Sequence, residues 1–283
     1  MDDIFPVLTQ CWKRGYELTD QVLILGARGS VPVSGEDFIK FGGATTCVLV
    51  RLADTYVILD AGTGMLSLPE DALSRPSLTL LFSHTHVDHL LGLPVCPYVL
   101  RPGAELTVCA APRGGLSAHE QALKLLAPPL WPVGDRELPA AFRFLDMADS
   151  FSVGPIRVDT MEGVHPGGVT LFRLSAGGKS VVFITDCTLT PALFPRAADF
   201  ARDCDLLLVD GQYSDEEWPT REFFGHSRWT DAARLGEAAG AKRTAVIHHD
   251  PWHTDRQLEA AEAALKRVYP RCAFAREKEE INL

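Results

Sequence analysis

Short apolar runs, each closed by glycine or polar residues, recur along this chain and set out its elements. Val22-Leu23-Ile24-Leu25 reads as a strand ending in the turn Gly26-Ala27-Arg28-Gly29-Ser30, which lacks the spacing of either nucleotide-binding fingerprint and is taken as a plain tight turn. Residues 45–50 and 55–59 flank Asp54 as a hairpin. Residues 78–82 form a buried strand, and the leucines after His89 begin a helical pattern. A strand at 105–110 precedes a helical segment at 115–126 that Pro128-Pro129 closes. Phe142-Arg143-Phe144-Leu145 and residues 156–161 alternate as half-buried strands do. Residues 169–174 and 180–185 pair around the turn 176–179. A buried strand at 205–209 leads to a helix with packing positions Ala232, Ala233, Leu235, Ala238 and Ala239, capped by Ser227 or Thr230. The strand 244–247 and a last helix over 255–269, with His253 and Asp255 as caps, complete the pattern.

The segment Phe82-Ser83-His84-Thr85-His86-Val87-Asp88-His89-Leu90 interrupts this pattern with three imidazoles and a carboxylate. His84 and His86 alternate as extended residues do, so they can point the same way, while Asp88 and His89 fall at the expected helix start and can face a second point. Neutral imidazole with carboxylate suits zinc, with manganese or iron as competitors. This is the pattern of a metal site at a strand end.

At 283 residues with 46% hydrophobic residues, the chain can bury a large core as one catalytic domain, taken as 21–283. The first twenty residues place Ile4, Leu8, Cys11 and Trp12 at loosely helical spacing and read as a packing or dimer-contact element. A net charge of −10 opposes a long polyanion, so a nucleic-acid substrate is expected to be small. Seven cysteines without a C-x-x-C pair read as buried thiols of a reducing compartment, hence a cytoplasmic protein. There is no secretory signal pattern and no run of about 18 apolar residues that would span a bilayer.

His84-Thr85-His86-Val87-Asp88-His89 matches the H-x-H-x-D-H signature of the metallo-β-lactamase fold, in the form that two-metal hydrolases use. Gly42-Gly43-Ala44-Thr45-Thr46-Cys47 together with the first turn resembles the ribonuclease Z and cyclic-nucleotide phosphodiesterase branch. The resemblance implies an α/β fold, a four-layer αβ/βα sandwich of two mixed β-sheets with helices on the outer faces. It also implies later ligands in chain order, which fall on His165, Asp186 and His248. His84, His86 and His165 would bind one divalent ion and Asp88, His89 and His248 the other, most readily zinc, with Asp186 as the bridge. His249 is the less favoured alternative to His248, because strand alternation turns it away. Asp60, in an Asp-x-Gly after a strand, would brace the site.

The order Gly225-His226-Ser227, helix, strand, His resembles the phosphodiesterase branch, where the histidine of that motif is catalytic. Asp88 and His226 are therefore the catalytic candidates, with metal-bridging hydroxide as nucleophile and His226 as proton donor to the leaving alkoxide. Between His165 and Asp186 lies only a hairpin, whereas ribonuclease Z carries its tRNA-gripping arm between the corresponding ligands. A small phosphodiester, such as a cyclic nucleotide or cyclic dinucleotide, is the expected substrate. The alternatives are a carboxylic-ester, lactone or thioester hydrolase and a tRNA-processing endoribonuclease. A diiron, dioxygen-reducing site is disfavoured because that class resembles H-x-E-x-D, and His86 stands at the Glu position.

Overall fold

The computed structural model describes residues 19–283, so the element expected over residues 1–20 lies almost wholly outside the described residues. Among the described residues, fourteen strands and five α-helices follow in chain order. The first half holds β1 (Gln21–Gly26), β2 (Cys47–Leu52), β3 (Thr55–Leu59), α1 (Glu70–Leu73), β4 (Ser77–Phe82), β5 (Glu105–Ala110), α2 (Ala118–Leu123) and β6 (Ala141–Asp146). The second holds β7 (Ser150–Val153), β8 (Ile156–Glu162), β9 (Thr170–Ala176), β10 (Lys179–Ile184), α3 (Phe194–Phe200), β11 (Leu206–Asp210), α4 (Trp229–Ala239), β12 (Thr244–Ile247), α5 (Asp255–Lys266), β13 (Cys272–Phe274) and β14 (Glu279–Asn282).

Two mixed seven-stranded sheets result, in the orders β14-β1-β2-β3-β4-β5-β6 and β13-β12-β11-β10-β9-β8-β7. The unbroken apolar runs of the sequence exist because both faces of most strands are buried. Val48, Val50, Val57, Leu59 and Leu81 of the first sheet meet Phe172, Leu174, Val181, Phe183, Leu206 and Leu208 of the second in the layer between the sheets. The alternate residues Leu49, Ile58 and Leu80 point outward beneath the segments around Met65, Leu93 and Tyr98, and Val182, Leu207 and Val246 lie beneath α3, α4 and α5. This is the expected four-layer sandwich.

Strands β3, β4 and β5 run parallel in one sheet and β10, β11 and β12 in the other, so their C-terminal ends gather along one edge of the sandwich. Three local expectations are corrected. The leucines after His89 do not form an α-helix but two 3-10 turns, Val87–His89 and Leu93–Val95, because Gly92 and Pro94 interrupt the pattern and Gly92 packs against the Gly62 carbonyl. Neither Ser227 nor Thr230 caps α4: the N-cap is Arg228, while the Ser227 hydroxyl donates to the Cys187 carbonyl and Thr230 donates to Asp215. The last helix is capped by Thr254 in a capping box with Gln257, which leaves the Asp255 carboxylate to accept from the backbone N–H groups of Lys40 and Phe41. His253 instead pairs with Glu217 at 2.9 Å.

Candidate metal centre

Every predicted ligand, and the expected brace Asp60, follows the C-terminal end of a strand. Asp60 follows β3, the segment 84–89 follows β4, His165 follows β8, Asp186 follows β10 and His248 follows β12. At three of these ends the backbone turns left-handed without a glycine, with φ 58° at Asp60, 46° at Asp186 and 62° at His248. Such strain, held by the surrounding sheets, turns each side chain onto the common edge.

Ligand-type atoms then converge. His84, His86, His165 and Asp186 form one group and Asp88, His89, Asp186 and His248 a second, each with all its ligand atoms within 4.8 Å of one another. Asp186 belongs to both. Its Oδ2 lies 3.7 Å from His84 Nε2, 3.9 Å from His165 Nε2 and 3.2 Å from His248 Nε2, while its Oδ1 lies 3.2 Å from His89 Nε2.

Outer hydrogen bonds fix which nitrogen faces inward. Ser83 donates its hydroxyl to Asp60 at 2.7 Å, so its oxygen is left to accept from His84 Nδ1 at 3.0 Å. His89 Nδ1 donates to the other side of the same carboxylate oxygen at 2.8 Å, and His165 Nδ1 donates to the Gly225 carbonyl at 2.9 Å. The inward nitrogens His84 Nε2 and His89 Nε2 are buried without a hydrogen-bond partner. Buried, unpartnered imidazole nitrogens grouped with carboxylates are what divalent cations require, so the residues fit two such ions. Asp60, buried and satisfied by Ser83 and His89, sits where the brace was expected.

Electrostatics differ across the site. Burial pulls the His84 imidazole well below its ordinary range, and burial also lowers His86 and His165. Burial acts on His89 and His248 too, but for His89 the carboxylates of Asp88, Asp186 and Asp60 outweigh it and hold the ring well above the ordinary value. Asp186 and Asp88 likewise bring His248 up to about 9. Burial pushes the Asp186 carboxyl up, yet His248, His89 and His84 hold it well below the usual carboxylate range. His249 is separate: its Nε2 meets the Ala275 carbonyl at 2.9 Å, and burial with Arg28 nearby pulls it to about 3.

His226 lies in a third convergence with Asp186, Asp210 and His248. Both Asp210 oxygens are engaged by hydrogen bonds. Its Oδ2 accepts from His226 Nδ1 at 2.8 Å, and its Oδ1 accepts from the backbone N–H groups of Ser227 and Gln212 at 3.0 and 3.2 Å. The His226 ring stacks on His248 with centroids 4.8 Å apart, and its Nε2 lies outside the Asp210 pair. Sequence reasoning does not single out Asp210, although a signal for it is present, since it ends a buried strand before glycine as Asp60 nearly does. The turn at 26–30 is also more than a plain turn. The Ser30 N–H donates to Asp88 Oδ2 at 2.8 Å, and a Cβ on Gly29 would stand 2.3 Å from the His248 ring.

Comparison with known proteins agrees with this geometry. Residues 55–249 match the family described as Beta-lactamase superfamily domain. The chain is 23% identical to the probable metallo-hydrolase YhfI of Bacillus subtilis, over 85% of this chain and 92% of that protein. It is 22% identical to a ribonuclease Z of Bradyrhizobium diazoefficiens, over 91% and 97% of the two chains. Among solved structures, a diphosphatase from the PhnP family superposes with a TM-score of 0.67 at 16% identity, covering 93% of this chain and 98% of that one. The chain belongs to the beta-lactamase superfamily and is a metal-dependent hydrolase of the metallo-β-lactamase fold.

Proposed function

We propose that the chain is a two-metal phosphodiesterase acting on a small phosphodiester, a cyclic nucleotide or dinucleotide being the expected class. His84, His86 and His165 would hold one ion, Asp88, His89 and His248 the other, and Asp186 both, with zinc favoured by the imidazole-rich set. When bound, the two ions would activate a water and polarise the phosphoryl oxygen.

The observation that carries the reading is the His226–Asp210 pair beside these groups. Hydrolysis of a phosphodiester expels an alkoxide that needs a proton. His226 is suited to provide it, because Asp210 accepts from Nδ1 and so leaves Nε2 outside that pair, on a ring stacked against His248 with centroids 4.8 Å apart. The residues on either side hold the ring in place. Gly225 gives its carbonyl to His165, and Ser227 ties the segment to Cys187. Asp88, held by the Ser30 N–H and facing His248 at 3.3 Å, is the second catalytic candidate. A thioester expels a thiolate, whose departure depends less on such a donor, whereas an ester or lactone expels an alkoxide and would draw on it as well.

The ribonuclease Z relatives favour a second reading, cleavage of an RNA phosphodiester by the same groups. A cytoplasmic location fits either, and among the described residues no helix is long and apolar enough to cross a membrane. The test is a panel of bis(p-nitrophenyl) phosphate, cyclic mononucleotides, cyclic dinucleotides, precursor tRNA, lactones and thioesters, with metal analysis of the same protein. A small phosphodiester is expected to give the highest kcat/KM. A lactone or thioester turned over better by about tenfold, or 1.4 kcal/mol, would overturn the reading, and precursor tRNA as the best substrate would install the second one.

A further inference from the structure

A cavity of about 250 Å³ opens directly against the first ligand group, with His84 and His86 in its wall. Two glycine turns form its sides. Gly114 and Gly115 carry φ 58° and 78° in the turn that joins Arg113 to Leu116, with empty space where side chains would stand. Gly167 and Gly168, at φ 87° and 88°, follow His165 on the other side. The end wall comes from α2. Gln121 is buried and fully engaged, accepting from the Thr85 hydroxyl at 3.2 Å and donating to the carbonyls of Ala111 and Leu116. Lys124 stands one helical turn, about 5 Å, beyond it.

The two cations of this cavity are not equivalent. Arg113 is neutralised by a bidentate pair with Glu162 at 2.7 and 3.0 Å and by Thr170 at 2.8 Å, which makes it a fixed wall. Lys124 forms no salt bridge within 4.0 Å among the described residues, and the carboxylate whose charge it feels is Glu120, four residues earlier and fully exposed, in a chain whose net charge is −10. An exposed lysine on the lining of a cavity that begins at the ligand group offers a mobile point charge to a point-like anion. The geometry points to Lys124 as the residue that recognises a second phosphate of the substrate, lying in this groove while the scissile phosphate lies at the ligand groups. The substrate class is thereby narrowed to phosphodiesters bearing another phosphate, as in dinucleotides with a terminal phosphate or cyclic dinucleotides, rather than cyclic mononucleotides. This rests on the phosphodiesterase reading of the same centre.

The test compares dinucleoside monophosphates with and without a terminal phosphate at either end, so that the scissile bond is unchanged, using the metal-loaded wild type and Lys124→Gln. Wild type is expected to prefer one phosphorylated form by about tenfold in kcat/KM, the usual worth of a charged hydrogen bond, with the gain in KM and weakened by salt. Lys124→Gln should lose that preference while metal content and turnover of bis(p-nitrophenyl) phosphate stay at the wild-type level. If bis(p-nitrophenyl) phosphate is cleaved but wild type shows no preference, or the variant keeps it, the groove assignment falls and the phosphodiesterase reading stands. If no phosphodiester is cleaved, that reading falls. The groove is then judged by calorimetric binding of inorganic pyrophosphate: affinity reduced about tenfold in Lys124→Gln upholds it, and equal affinity overturns it.

Discussion

Around His84, His86 and His165 the centre is built of imidazoles and opens to solvent, whereas around Asp88, His89 and His248 it is rich in carboxylate and sealed. His86 is exposed and borders a cavity, while all four members of the second group are buried. The electrostatics follow the same division. Burial leaves the first imidazoles below their ordinary range and ready to offer lone pairs, but the carboxylates hold His89 and His248 above theirs, so an ion entering the second group must displace protons. Support is divided as well: the backbone N–H of Ser30 and the close approach of Gly29 serve the sealed side, while the Asp60 carboxylate serves both, holding His89 directly and His84 through Ser83. The open side is therefore where substrate can be met, and the sealed side is where geometry is fixed.

The largest effect should come from the one residue the two sides share. Asp186→Ala is expected to lose both ions and all hydrolysis, read by elemental analysis and activity. Retention of one full equivalent would mean that the two sides assemble independently.

His226→Ala should leave both ions in place and lower kcat by roughly 10²–10⁴ for substrates that release a ribose alkoxide, the usual worth of general acid catalysis. The loss should shrink with p-nitrophenolate, which departs without a proton. Equal losses on both leaving groups, or release of metal, would make His226 a ligand or a structural residue.

Gly29→Ala acts on the sealed side alone, because the new Cβ would stand 2.3 Å from the His248 ring with His248 buried and unable to retreat. Affinity for one ion is expected to fall roughly 10–100-fold while the other stays bound, measured by competition with a chelator. Unchanged affinity for both would show that the contact can be relieved elsewhere.

The smallest effect lies outside both sides and serves as the control. Burial pushes the Glu262 carboxyl up, but the Arg276 guanidinium and the Phe274 N–H outweigh it and hold it at about 2. A depressed carboxyl stabilises the fold above its ordinary value near pH 4.3 and loses that contribution as pH falls through about 2. Glu262→Gln should cost about 1 kcal/mol at pH 7, after allowance for solvent screening, with metal content unchanged. The gap to wild type in urea unfolding should close between about pH 4 and pH 2. A gap that persists at pH 2 would assign the loss to packing instead of charge.

The sequence by itself made most strands and the first candidate ligands legible. Runs such as Leu78-Thr79-Leu80-Leu81-Phe82 are apolar at consecutive positions because both faces are covered, and that burial is written locally in composition. The segment 84–89 declared a metal site because its residue types and offsets are close in the chain, and the resemblance extended it to His165, Asp186 and His248. Elements whose existence depends on distant partners were not legible. Strand β14 forms by pairing with β1 across more than two hundred residues, and β13 needs β12 beside it. The caps of α4 and α5 escape a local reading for a related reason, since Ser227 and Asp255 have better partners elsewhere in the fold than the helix ends next to them. Asp210 and Gly29 acquire their roles only when β11, β12 and the first turn meet at one edge. Likewise the cavity that joins His86 to Lys124 depends on α2 packing against β5 and β6 and meeting Thr85 through Gln121, a distance relation that no local pattern encodes.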